Sequence, residues 1–171
     1  EPVRIFYSAR ESMSRLSQLR GRKIAVGAAG SGTRVLATEI LRLANVTADN
    51  ASLLTMDNDS AIKGLLDGEI DAIVLAFAPE APALKQLLYD PRVKLMSLDQ
   101  ADAMVRLLPY LSKVTLPAGI FDLEKNLPSE PIHLVAPVAS LVVREELHPA
   151  LVGLLAKAAS EVHGGPSLVQ N

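Results

Sequence analysis

Residues 23–44 read KIAVGAAGSGTRVLATEILRLA and pass from a strand pattern through a glycine-rich turn into a helix pattern. The apolar run at 23–27 predicts a strand. After the turn, apolar side chains recur at helical spacing on one face, and Ser31 or Thr33 can cap that helix. A strand joined by a tight turn to a helix is half of a parallel βαβ unit, so this stretch indicates an α/β fold.

Outward from this stretch, strand-like and helix-like segments alternate along most of the chain. The predicted strands are residues 3–8, 23–27, 52–56, 71–77, 93–98 and 132–143. Predicted helices end near residues 44, 67, 90, 107 and 163, and a proline-rich loop is predicted at 110–131. The last helix should bury Leu151, Leu154, Leu155 and Ala158, and residues 58–60 and Asp99 offer caps to two others. This alternation predicts an α/β fold with a largely parallel sheet flanked by helices.

Composition excludes several classes of function. The 171 residues carry a net charge of −2 and include three tyrosines, three phenylalanines and no tryptophan, which disfavours nucleic-acid binding. No cysteine is present, so disulfides and thiolate metal sites are excluded, and His133, His148 and His163 show no metal-ligand spacing. We therefore predict no metal site and no cofactor. No apolar run reaches the roughly 18 residues of a membrane span, and the first residues do not resemble a signal peptide.

The glycine-rich turn is the best candidate for a binding site. Its glycines let a ligand approach the backbone, and the first turn of the helix offers unpaired N–H groups beside a positive dipole end. We expect an anionic group to bind Gly30, Ser31, Gly32, Thr33 and Arg34. The turn lacks the lysine of a P-loop and the glycine spacing of a dinucleotide fingerprint. A purely structural turn capped by a hydroxyl side chain remains the alternative.

Two aromatic residues are further candidates for ligand contacts. Phe77 follows the most apolar predicted strand, at the sheet edge where open α/β sheets bind ligands. Tyr7 closes the first predicted strand. Core packing is the alternative role for both side chains.

Four ordered motifs resemble the TAXI family of solute receptors of TRAP transporters. The first runs from Leu16 through RGRKIAVG to the turn GSGT at residues 30–33. The others are LDGEIDA at 66–72, Pro109-Tyr110 with VTLPAG at 114–119, and LVVR at 141–144. One departure is Phe121, which stands one residue later than the family's tyrosine and has no hydroxyl.

The resemblance implies a type II periplasmic binding protein fold, in which two α/β lobes close over a small carboxylate-bearing ligand. This chain then corresponds to the second lobe with crossing strands. Residues 1–20 would be a crossing strand and connector, 21–131 the ligand-binding lobe, and 132–171 a return strand and terminal helix. The implied protein is periplasmic, or membrane-anchored and facing the periplasm, and works with membrane transporter subunits. We expect the chain to be a piece of a longer protein.

Three functions compete at this point. The first is a non-enzymatic receptor for a small anionic organic solute, such as an amino acid or a dicarboxylate. The second is the effector domain of a transcription regulator, and the third is an enzyme of the same fold. Because a separated lobe would expose its apolar cleft face, we also expect the chain to self-associate as a dimer.

Overall fold

The computed structural model describes residues 1–76, 82–138 and 140–163. Within these residues the main sheet has five strands in the order β3-β2-β4-β1-β5. They are β1 (Arg4–Ser8), β2 (Lys23–Ala25), β3 (Ser52–Leu54), β4 (Ala72–Leu75) and β5 (Val93–Leu95). The parallel pairing of β2 with both β3 and β4 confirms the predicted core of the sheet. The α/β class is therefore confirmed, as a mixed sheet flanked by helices.

Strand β1 makes the sheet mixed, where the sequence predicts a largely parallel one. It lies between β4 and β5 and is antiparallel to both. The antiparallel direction places Arg4 opposite Leu75, where β4 ends, and Tyr7 opposite Ala72, where β4 begins. The Arg4 end of β1 therefore lies at the sheet edge where β4 ends, and the Tyr7 end lies at the opposite edge, where β4 begins.

Five α-helices connect or follow these strands in the part of the chain that the structure describes. They are α1 (Gly32–Leu43), α2 (Asn58–Leu66), α3 (Pro82–Tyr89), α4 (Ala101–Leu107) and α5 (Pro149–His163), and a short 3-10 helix spans Leu16–Leu19. Ser31 caps α1 as predicted, but α2 is capped by Asp57 and not by residues 58–60. Asp99 does not cap α4 either, because Gln100 occupies the N-cap position, and the Asp99 carboxylate accepts a hydrogen bond from Ser14 Oγ at 2.5 Å. No helix of the described residues is long and apolar enough to cross a bilayer.

The helices pack on both faces of the sheet because successive strand residues point to opposite sides. On one face, Ile5 and Ile24 pack with Ile40 and Leu41 of α1. On the other face, Phe6 and Ile73 pack with apolar side chains of α2 and α3. Burial on both faces explains why β4 reads as a continuous apolar run.

A second sheet of two strands combines a segment predicted as a loop with a segment predicted as a strand. Strand β6 (Leu111–Leu116) pairs antiparallel with β7 (Ile132–Pro137). The loop prediction was wrong at β6, where Lys113 and Thr115 are exposed and a proline-rich segment follows the strand. Strand β7 ends at Pro137, well before the predicted limit at residue 143.

Helix α5 does not bury the residues predicted to point inward. Leu151, Leu154 and Leu155 are 48%, 64% and 43% exposed, and Ala158 is exposed as well. These apolar side chains do recur at helical spacing on α5, but no described part of the chain covers this face.

Candidate ligand-binding site

The turn between β2 and α1 is shaped by glycines in left-handed conformations. Gly27 has φ +101° and Gly30 has φ +75°. A Cβ on Gly27 would lie 3.1 Å from Ser31 Oγ and 3.2 Å from the backbone nitrogen of Arg34. Only glycine fits at residue 27, because both the backbone angle and the close approach of α1 exclude a side chain.

Ser31 holds the turn in place and uses its own polar groups to do so. Its hydroxyl donates to the carbonyl of Ala28 at 2.8 Å and accepts from the N–H of Arg34 at 3.2 Å. Its own N–H donates to the Ala28 carbonyl at 3.2 Å. Ser31 is therefore the helix cap, and its polar groups are already engaged within the turn.

The next two residues present free hydrogen-bond donors. In the part of the chain that the structure describes, the N–H groups of Gly32 and Thr33 and the Thr33 hydroxyl make no hydrogen bond. The first N–H groups of any α-helix lack an intrahelical acceptor and lie at the positive end of the helix dipole. This end of α1 is therefore suited to a carboxylate or another small anionic group.

These donors open onto a groove of about 680 Å³ at the edge where β2 and β4 end. Its lining residues are Glu1, Gly32, Thr33, Val35, Leu36, Glu39, Ala76, Tyr110, Pro137 and Val138. The groove volume is within the range of small-molecule sites, which are typically apolar with a few placed polar groups. It is open to solvent along α1.

Arg34 lies beside the groove and not in its lining. Its guanidinium donates a hydrogen bond to the Thr55 hydroxyl, just after β3. The arginine predicted to bind an anion is thus directed across the sheet edge toward β3.

A glutamate–tyrosine pair forms the other end of the groove. The Tyr110 hydroxyl donates to Glu39 Oε2 at 2.5 Å, a short charge-assisted hydrogen bond. Desolvation, followed by the hydrogen bond to Glu39 and the negative charge of that carboxylate, raises the pKa of Tyr110 to about 12. Tyr110 therefore remains a neutral donor at physiological pH. Its backbone carbonyl accepts from the N–H of Val138 at 2.8 Å, which ties the tyrosine to the chain just after β7.

The remaining predicted site residues do not join the groove. Tyr7 is 2% exposed and lies at the opposite edge of the sheet, where its hydroxyl accepts from the N–H of Met13 at 3.0 Å. It contributes to a different cavity of about 600 Å³. Phe77 lies outside the described residues.

Sequence reasoning missed three notable residues. Glu39 and Tyr110 are 71 positions apart, and neither belongs to a local pattern that predicts their contact. Arg4, only 1% exposed, lies at the same sheet edge as the groove and is the one charged residue buried among those described. The sequence does hint at the burial of Arg4, because this arginine stands within an otherwise apolar strand.

The family of the chain is established by a comparison with family models. A model described as the NMT1-like family matches residues 1–164. The chain belongs to the NMT1-like family. No curated protein is significantly similar to this NMT1-like chain in sequence.

Solved structures similar to this NMT1-like protein include several solute-binding proteins. The periplasmic aliphatic sulphonate-binding protein SsuA from Escherichia coli is 16% identical, with 98% of this chain and 66% of that chain covered and a TM-score of 0.48. An ancestral arginine-binding protein bound to arginine is 17% identical, with coverage of 95% and 55% and a TM-score of 0.47. PhnD1 from Prochlorococcus marinus in complex with methylphosphonate is 16% identical, with coverage of 56% and 40% and a TM-score of 0.44. The chain therefore spans less than two thirds of the length of each of these proteins.

Proposed function

We propose that this NMT1-like protein is a non-enzymatic receptor that binds a small carboxylate-bearing solute. One observation carries the proposal. Gly32 and Thr33 line a groove of about 680 Å³, and their N–H groups and the Thr33 hydroxyl have no hydrogen-bond acceptor among the described residues. A carboxylate placed there would accept several hydrogen bonds at the positive end of α1. The apolar lining beyond it would hold the rest of the solute.

The predicted site residues take different roles in this proposal. Gly32 and Thr33 contact the carboxylate directly. Gly30 and Ser31 shape the turn, which keeps the donors pointing into the groove. Arg34 adds positive charge beside the site and holds the turn against Thr55.

The setting of the receptor is also part of the proposal. The four TAXI-like motifs favour a solute receptor of a TRAP transporter with type II periplasmic binding protein architecture. In that architecture this chain is the second lobe, and a first lobe closes with it over the ligand. Such a protein would lie in the periplasm or be anchored facing it, and would deliver its solute to membrane transporter subunits. The exposed apolar face of α5 supports self-association of the chain as a dimer when nothing else covers it.

Calorimetry on the full-length protein tests the binding site. Amino acids and dicarboxylates serve as ligands, and Thr33→Val serves as the variant because valine keeps the shape of threonine and removes the hydroxyl. A charge-assisted hydrogen bond contributes about 1.5–3 kcal/mol, so loss of the hydroxyl should weaken binding roughly tenfold or more.

A matched control is Thr38→Val on the same helix, whose side chain is exposed and does not line the groove. It should bind like the wild type. Equal affinity of Thr33→Val, Thr38→Val and the wild type would contradict the proposed site.

A further inference from the structure

The charged side chains of the groove are all acidic. Glu1 and Glu39 line it, whereas no lysine, arginine or histidine among the described residues does so. Arg34, the nearest basic residue along α1, donates to Thr55 at the β3 edge instead. A dianionic ligand would therefore meet hydrogen-bond donors at one end of the groove and carboxylate charge at the other.

Glu39 is well placed to bind a ligand and has spare capacity to do so. Gly32, Val35, Leu36 and Glu39 recur at helical spacing, so the groove follows one face of α1 from its first residue to Glu39. Glu39 makes no ion pair with any residue that the structure describes, and its hydrogen-bond partner there is the Tyr110 hydroxyl. A carboxylate has about four acceptor sites, so a single tyrosine hydroxyl leaves most of them open.

We infer that the Glu39 end of the groove binds a cationic group, so that the solute carries a carboxylate at one end and a cation at the other. The inference rests on the proposed function, because it assumes that the carboxylate binds at Gly32 and Thr33. Tyr110 is a positioning residue in this scheme. Its hydroxyl orients the Glu39 carboxylate, and its backbone is held by Val138.

The spacing between Gly32 and Glu39 along α1 sets the distance between the two charged groups of the ligand. Gly32 and Glu39 are seven positions apart, which is a rise of about 10 Å along the helix axis. The glutamate side chain leans back toward the start of the helix and shortens that gap. A charge separation of roughly 6–8 Å remains, bridged by an unbranched apolar chain beside Val35 and Leu36.

Three probes of equal chain length test this inference by calorimetry on the full-length protein. They are ε-aminocaproate, adipate and caproate, which share one carboxylate and end in an ammonium, a carboxylate or a methyl group. The wild type should bind ε-aminocaproate at least tenfold more tightly than adipate, a difference of about 1.4 kcal/mol. Glu39→Gln should abolish that preference, and the exposed Glu69→Gln control, remote from the groove, should retain it.

The outcomes separate this inference from the proposed function. If Thr33→Val weakens the probes while Glu39→Gln leaves their ranking unchanged, the cation subsite is wrong and the carboxylate site stands. If the wild type binds adipate as tightly as ε-aminocaproate, the cation subsite is also wrong. If no probe binds, or if Thr33→Val changes none of them, the inference falls together with the proposed function.

Discussion

Replacing Gly32 with valine should weaken ligand binding at least a hundredfold while leaving the protein folded. Gly32 is the first residue of α1 and lines the groove, and a Cβ added there meets no heavy atom within 4 Å. A branched side chain would therefore cost the fold little but would cover the free N–H groups. A hundredfold loss corresponds to about 2.7 kcal/mol of binding free energy. Calorimetry measures the affinity, and circular dichroism checks the fold.

Gly153→Val provides the matched control for this substitution. Gly153 is also a helical glycine with open space around its Cβ position, but it lies in α5, away from the groove. This variant should bind as the wild type does. If Gly32→Val, shown to be folded, also binds as tightly as the wild type, the ligand does not lie over the start of α1.

Replacing Gly27 with alanine should destabilise the protein by about 3 kcal/mol, the upper end of the cost of a strained backbone residue. Its φ of +101° is unfavourable for alanine, and the new Cβ would also lie 3.1 Å from Ser31 Oγ and 3.3 Å from Thr33 Cβ. Gly21→Ala separates the two causes, because Gly21 has φ +75° but no heavy atom within 4 Å of its Cβ position. The Gly21 variant should lose only about 1 kcal/mol.

Urea unfolding of the wild type, Gly27→Ala and Gly21→Ala gives the free energy of unfolding of each protein. The larger loss for Gly27→Ala measures how tightly the turn packs against α1. Equal losses for the two variants would mean that the close contacts at residue 27 contribute nothing to stability.

Local patterns predicted the part of the fold that depends on neighbouring residues. The strand at 23–27 follows from its apolar run, and the cap follows from the side-chain oxygen of Ser31 next to the turn glycines. The parallel pairing of three strands follows from the alternation of strand-like and helix-like segments. The placement of β1 between β4 and β5 depends on pairings with distant segments, which no local pattern encodes. The same holds for β6, whose partner β7 lies across a proline-rich segment.

The candidate site was predictable to a similar extent. Gly32 and Thr33 follow from a glycine turn before a helix, and the structure leaves their donors free. Tyr7 was assigned to the site without knowledge of the direction of β1, and the antiparallel direction carries it to the other edge. The contact between Glu39 and Tyr110 arises only when α1 and the segment before β6 meet in the folded chain.

Amide NMR spectra of the full-length protein, recorded during titration with ε-aminocaproate, test the central claim most directly. The claim is that a ligand carboxylate accepts hydrogen bonds from the N–H groups of Gly32 and Thr33. Those two resonances should show the largest shifts, moving downfield as hydrogen bonds form, while the Met13 amide beside Tyr7 should stay in place. Saturable binding that leaves Gly32 and Thr33 unmoved would contradict the account.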